Sequence, residues 1–349
     1  MADKAGRSEV AERTGESAET AAAGGRAPTV SVRQHLRRHA LTVATLGIAL
    51  VIWLAFLVTA PDVFLNSRIY SAFATTTPLF AMIALALTLV VITREMDLSF
   101  GSVMALAMVG FVRTYDYTGN VPLSVLACLV VGVVCGLVNG YLVAVLGIPS
   151  LVITLGTLFF FRGVELVLLN AQPVVLREPQ LDGLRDALNG RTLDIPNELL
   201  WTVAVAIVLW IILNRTRFGA HIFLVGDNPL SAQLMGVRVA RVKIATYVIV
   251  GVVSAFTGLM AAMQLATLFP TLGDGTLLHP IASVFLGGTS VFGGTGSIVG
   301  TFVGSFIVGS INAGVISAGT QAFYTQLFFG LVIILSLVLQ TLMSRRMRH

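Results

Sequence analysis

Ten apolar stretches, six before one basic interval and four after it, constrain this chain more than any other feature. They run near Leu41–Ala60, Ala72–Thr93, Gly101–Val112, Pro122–Leu146, Ser150–Asn170 and Leu199–Leu213, then Ile244–Thr267, Pro280–Phe292, Ser297–Val315 and Ala322–Met343. Most approach the ~20 residues a helix needs to cross a hydrocarbon core of ~30 Å at ~1.5 Å per residue. With 56% hydrophobic and 11% charged residues, the chain has too little polar surface to cover a soluble globule of 349 residues. The expected fold is an all-α polytopic membrane protein of about ten transmembrane helices, some short or broken.

Basic residues set the direction of these spans. Arg33, Arg37 and Arg38 precede the first, Arg215, Arg217, Arg238, Arg241 and Lys243 flank the central interval, and Arg345, Arg346 and Arg348 follow the last. Lys and Arg gather on cytoplasmic loops, and six crossings followed by four return the chain to one side at every cluster. The net charge of +5 is thus a topology signal and not a nucleic-acid footprint. The reading that follows is a disordered cytoplasmic tail (1–38), a transmembrane domain (39–343) with a cytoplasmic interval at 215–243 and an extracytoplasmic loop at 171–197, and a cytoplasmic tail (344–349). In the outer loop, Leu181, Leu184 and Leu188 share one helical face, as in a lid or docking helix, or in a cover for the span ends.

Within the basic interval, Asn228 suits an N-cap, Pro229 a first helical position and Gly236 a left-handed stop. They frame one short helix, Pro229–Met235, roughly 10 Å long. That is too short to cross a bilayer and suits docking crosswise into a groove of another protein; a solvated connector is the alternative.

Two segments are too short to cross straight. Gly101–Val112 is bordered by Ser99, Gly101 and Ser102, and Pro280–Phe292 by Gly287, Gly288, Gly293, Gly294 and Gly296. If spans two to five and seven to ten are repeats, each short segment stands second. The segment after each carries a GxxxGxxxG triplet, Gly132-Gly136-Gly140 and Gly296-Gly300-Gly304, the spacing that lets membrane helices approach closely. Span two starts outside and span seven inside, so the repeats are inverted, an architecture of alternating access with interrupted segments near the pathway. Coincidental packing in a chain with 34 glycines is the alternative.

Ionisable groups within spans are costly and point to function by default. Arg162 and Glu165 can pair on one helix face, either along the pathway or as a structural ion pair. Asp97 is expected to cap the helix that follows, or else to face the pathway. The spacing of His279 and Ser283 leaves an intramembrane protease as an alternative, although a lone His at a span edge is far more often structural. The lysines are Lys4 and Lys243, and neither ends a GxxxxGK phosphate-binding pattern; HExxH, GxSxG and CxxC are absent too. No catalysis, metal or cofactor is expected in this chain. Cys128 and Cys135 read as small packing residues.

Four motifs in order resemble the ribose-type permeases of bacterial ABC sugar importers, a family that also includes autoinducer-2 permeases. They are MDLSFGS at Met96–Ser102, GIPSLVITLGTLFFFRG at Gly147–Gly163, VGDNPLSAQLMGVRVARVK at Val225–Lys243 and HPIASVFLGGTSVFGGTGSIVGTFVGS at His279–Ser305. The resemblance implies a multi-pass permease subunit of the bacterial inner membrane, paired with itself or a paralogue. Separate ATPase subunits would bind ATP and Mg, and an extracytoplasmic binding protein would deliver a sugar or sugar-like solute. The coupling region of that family falls on Gly226 to Gly236, covering Asp227, Asn228, Pro229 and Ala232, with Ala232 as the expected contact position. Arg94 and Glu95 depart from the family pattern, which usually has two glycines there. An ion-coupled secondary transporter and a nucleoside-type ABC permease are the rival readings.

If every basic cluster obeys one rule, a single cysteine placed as Leu184→Cys, with Cys128 and Cys135 replaced, should react with an impermeant thiol reagent in intact cells. Reaction only after lysis would invert the topology.

Overall fold

The computed structural model describes residues 61–317 together with a few isolated positions on either side. The tails 1–38 and 344–349 lie outside the described residues, and the spans expected at Leu41–Ala60 and Ala322–Met343 lie almost wholly outside them. A short helix α1 (Pro61–Phe64) leads into α2 (Ser67–Ile92), α3 (Phe100–Thr118), α4 (Val121–Ala144) and α5 (Ser150–Leu169). The loop after α5 carries α6 (Asp182–Asn189) and the strands β1 (Val174–Val175), β2 (Arg191–Thr192) and β3 (Ile195–Pro196). Then come α7 (Asn197–Arg215), α8 (Arg217–Asp227), α9 (Pro229–Leu234), α10 (Val239–Leu265), β4 (Thr267–Leu268), α11 (Leu278–Leu286) and α12 (Ile298–Ser317). Among the described residues, five helices are long and apolar enough to cross a membrane: α2, α4, α5, α7 and α10.

Helices apolar on all sides belong in the interior, and α2 and α10 meet that description. Ala81 to Ile92 of α2 are all buried, as is most of α10 from Val250 to Met263. By contrast, α4, α5 and α7 turn Val130, Phe159, Phe160 and Val208 outward, apolar faces suited to lipid. In the outer loop, Leu181 and Leu188 are buried while Asp182, Gly183 and Asp186 stay exposed on or beside α6.

Glycine spacing sets how closely the helices approach. A Cβ added at Gly136 would lie 2.5 Å from the Tyr247 carbonyl oxygen, and one at Gly140 would lie 2.8 Å from Ile244 Cα, so α4 and α10 touch backbone to backbone. A Cβ at Gly132 would collide with the Gly251 carbonyl of the same helix pair. In the second triplet, a Cβ at Gly304 would lie 2.5 Å from the Ser283 carbonyl, one at Gly300 would strike the Gly287 carbonyl, and one at Gly296 would meet Ile92 and Thr289. The two sets of helices also pair in a matching way. While α4 packs on α10, α12 packs on α2, where the Thr88 and Thr301 hydroxyls share a buried 2.8 Å hydrogen bond. Each third helix of a repeat thus rests on the first helix of the other.

The second helices of the two repeats do not match in length, which corrects the expectation of two short segments. The first is α3, whose 19 residues run past Val112 to Thr118 and stop where Gly119 turns left-handed at φ 61°. The apolar run ends early only because Arg113 is charged, and that side chain donates to the Leu168 carbonyl at the end of α5. Helix α11 has only nine residues; it ends at Gly287, and Gly288 follows at φ 84°.

The basic interval also holds two helices, not one. Thr216 caps α8 by accepting from the Gly219 amide at 3.2 Å, and Ile222 and Val225 of α8 are buried. The i, i+4, i+7 spacing of Phe218, Ile222 and Val225 was a visible signal for it.

Gly136→Leu and Gly300→Leu should each cost ~1–3 kcal/mol or more, because a side chain there must push backbones apart. Lower monodisperse yield and a lower melting temperature in detergent would register the cost; wild-type values in both variants would show that neither approach matters.

Candidate functional site

The short α9 lies on the surface with one face turned in. Asn228 Oδ1 accepts from the Ser231 amide at 3.1 Å, and Gly236 takes φ 84° just beyond the helix. The helix itself is Pro229–Leu234, one residue shorter than expected. Ala232 is fully buried, at 0% exposure, which corrects its expected role as a contact for a partner. Its methyl sits on the inward face, and its carbonyl accepts from the Val237 amide at 3.0 Å. The outward positions are Leu230 and Leu234 on this six-residue helix and Met235 just past it, exposed by 68%, 83% and 62%.

Gly226 is also a packing position, since a Cβ there would collide with the Ile92 carbonyl, while Asp227 is exposed. Around this contact the turn after α2 makes two clasps. Arg94, in the left-handed region at φ 67°, donates from Nε to the Gly226 carbonyl at 2.5 Å and from Nη2 to the Asp227 carbonyl. Those are the last carbonyls of α8, which lack intrahelical partners and carry the negative end of its dipole. Next to it, Glu95 pairs with Lys243 near the start of α10. Arg94 and Glu95 therefore fasten the middle of the interval, at the end of α8, and its last residue, Lys243, to the end of α2. The sequence marked this dipeptide as unusual and gave no hint of its partners.

Asp97 does not cap α3. The helix begins at Phe100, and Asp97 Oδ1 instead accepts from the Ser99 amide at 2.8 Å and the Ser99 hydroxyl at 2.7 Å, tightening the turn before it. Asn139 donates to the Ser99 hydroxyl at 2.7 Å, Tyr247 to the Met96 carbonyl at 2.9 Å, and Ser102 to the Ser99 carbonyl at 2.8 Å. Asp97, Ser99, Ser102 and Asn139 are all buried, so this is a closed polar knot joining α3, α4 and α10. Gly101 adjoins it, and a Cβ there would lie 2.8 Å from the Gly273 carbonyl. On α11, the Ser283 hydroxyl donates to the His279 carbonyl of its own helix at 2.7 Å, which leaves it bonded to backbone and not to an imidazole.

The third cluster forms around Arg162. Its guanidinium donates to Glu165 Oε2 at 2.9 Å, to the Pro270 carbonyl at 2.7 Å, to the Leu272 carbonyl at 2.8 Å and to Asp274 Oδ1 at 2.6 Å. Pro270, Leu272 and Asp274 belong to the irregular stretch between β4 and α11. Irregular backbone in a bilayer needs partners from within the protein, and Arg162 supplies them. Asp274 is not among the candidates that the spans suggest, although an acid between Gly273 and Gly275, both left-handed at φ 82° and 72°, is a turn signal between two spans. Among the described residues, no group of three His, Cys, Asp or Glu side chains is placed to hold a metal.

A family model described as "Branched-chain amino acid transport system / permease component" matches residues 69–337. The chain is 32% identical over 282 residues to the ribose import permease protein RbsC of Escherichia coli K12, covering 80% of this chain and 88% of that one. It is 34% identical over 228 residues to the autoinducer 2 import system permease protein LsrC of Photorhabdus luminescens, covering 65% and 68%. With the corresponding LsrD of Salmonella typhi the identity is 31% over 231 residues, covering 65% and 69%. No solved structure matches.

Glu95→Lys and Lys243→Glu should each lower the melting temperature, and the double exchange should recover most of the loss, with a coupling energy of ~0.5–3 kcal/mol. Additive losses in the double variant would mean that the two side chains do not sense each other.

Proposed function

This chain belongs to the branched-chain amino acid transport system / permease component family, and from that premise we propose that it is the membrane-spanning subunit of an ATP-driven ABC importer for a sugar or sugar-like solute. The match along most of its length to ribose and autoinducer-2 import permeases carries this reading. ATP and Mg then belong to separate ATPase subunits, consistent with a chain that has no phosphate-binding loop, and catalysis is not its task. An extracytoplasmic binding protein hands over the solute, and a second permease copy or close paralogue completes the pore. The protein resides in the bacterial inner membrane with both termini and the interval 215–243 in the cytoplasm, surrounded by lipid and with no role in nucleic-acid binding.

In this reading α9 is the part that meets the ATPase. Leu230, Leu234 and Met235 form an apolar surface with no partner among the described residues. Such a surface suits a groove in another protein. Because Arg94 and Glu95 tie the interval to α2 and α10, a displacement of α9 is passed to the two most buried helices of the membrane domain. An ATPase biases a transporter only by contacting its two states differently, and a rigidly held helix can transmit that difference.

Reconstitution with ATPase and binding-protein subunits should give ATP-dependent uptake, tested with D-ribose, D-xylose and D-galactose; uptake without the ATPase would favour the ion-coupled transporter. Leu234→Arg should abolish co-purification of the ATPase and at least ~90% of stimulated ATP hydrolysis while leaving the permease folded, since a charge in an apolar interface core is heavily penalised. Ala232→Arg should instead destabilise the permease itself, and Asn228→Ala should cost only ~1 kcal/mol of capping. Wild-type hydrolysis in Leu234→Arg would move the docking surface elsewhere.

A further inference from the structure

The Arg162 cluster lies deep. Arg113 of α3 bonds the Leu168 carbonyl and so lies within a side chain's reach of the end of α5, a 20-residue helix that matches the membrane thickness. Gly101 lies twelve residues earlier on α3, about 18 Å along its axis. There it meets the Gly273 carbonyl, within 2.8 Å of a Cβ placed at Gly101. Asp274, the next residue, which bonds Arg162 six residues before Leu168 on α5, therefore lies well inside a hydrocarbon core of ~30 Å.

At that depth the Asp274 side chain is 56% exposed, whereas Glu165 on the other side of Arg162 is fully buried. A carboxylate well inside the bilayer faces the bundle interior or a water-filled cavity, because hydrocarbon does not solvate it. The exposed side chains of α5 that suit lipid are of another kind, Phe159 and Phe160. The exposed side of Asp274 is thus a place for water. Arg162 lies between the Glu165 and Asp274 carboxylates, and the Arg162–Asp274 pair presents donors and acceptors side by side. Neighbouring hydroxyls, each able to donate and accept, are the chemistry that matches such a pair.

We propose that the aqueous route of the solute runs past Asp274 and Arg162, and that this ion pair exchanges hydrogen bonds with the hydroxyls of a polyhydroxylated solute inside the membrane. The solute class rests on the importer reading; the water-filled route does not.

The test uses the complete transporter in membranes, with Cys128 and Cys135 replaced by Ala and one cysteine introduced at a time. Asp274→Cys should react with a charged methanethiosulfonate within about tenfold of the rate at the exposed loop control Gly183→Cys, and Phe160→Cys should not react. An Asp274→Cys rate as low as that of Phe160→Cys would overturn the proposal. Uptake is then measured with whichever of D-ribose, D-xylose and D-galactose the wild type accumulates. Loss of one charged hydrogen bond should raise KM for Asp274→Asn about 10- to 100-fold, with a smaller change in kcat, and Asp274→Glu should recover part of it. An unchanged KM in Asp274→Asn would overturn the solute contact. A wild type that accumulates none of the three sugars would count against the importer reading, and the labelling rates would still decide the route.

Discussion

Hydrocarbon offers no hydrogen bonds, and the rest of this structure follows from how two breaks in its helices, one among the spans and one beside the basic interval, find partners within the protein. The first lies between β4 and α11, where Pro270 and Leu272 present carbonyls deep in the protein and the Arg162 guanidinium takes both. The second follows α11, where the chain unwinds through Gly293 and Gly294; there the Gly294 amide donates to the Ile92 carbonyl at 2.9 Å, at the end of α2. Each break is thus held by a helix from the other half of the molecule. A buried carbonyl such as that of Leu272 would cost ~1–3 kcal/mol if left unpaired, so at the first break the Arg162 partner is a condition for the break to exist.

Glycine does for packing what arginine does for the breaks. Where α4 meets α10, the absence of side chains at Gly136 and Gly140 lets the helices touch through backbone atoms, and the association gains close dispersion contact where lipid provides no hydrophobic drive. The cross-pairing of α4 with α10 and of α12 with α2 makes the two halves mutually dependent. Neither half buries its first helix without the third helix of the other.

The long apolar helices were legible because their composition states their solvent: α2, α4, α5, α7 and α10 all lie where apolar runs placed them, with ends shifted by a few residues. The cap at Asn228 and the stop at Gly236 were legible for the same reason, as local chemistry. What could not be read was which way a small surface helix faces. Ala232 and Leu234 are both apolar residues on α9, and only the tertiary fold turns the first inward and the second outward. Long-range partners were equally hidden: nothing near Arg94 in the chain announces Gly226, and nothing near Arg162 announces Asp274. The length of α3 was misjudged because Arg113 reads as an end in a hydropathy pattern, although its side chain has a carbonyl to bond.

The turn at Arg94 holds two energies of opposite sign in one residue. A left-handed conformation costs a side-chain-bearing residue about 1–2 kcal/mol relative to the right-handed one, a penalty that glycine does not pay. Two hydrogen bonds from the guanidinium to the end of α8 return about 1 kcal/mol each. Glycine at this place would relax the backbone and release α8 together, so the fold would keep nearly the same stability while the interval became free to tilt. Mechanical stiffness and thermodynamic stability are thereby separable at a single position, and the side chain at Arg94 trades backbone ease for a firm joint.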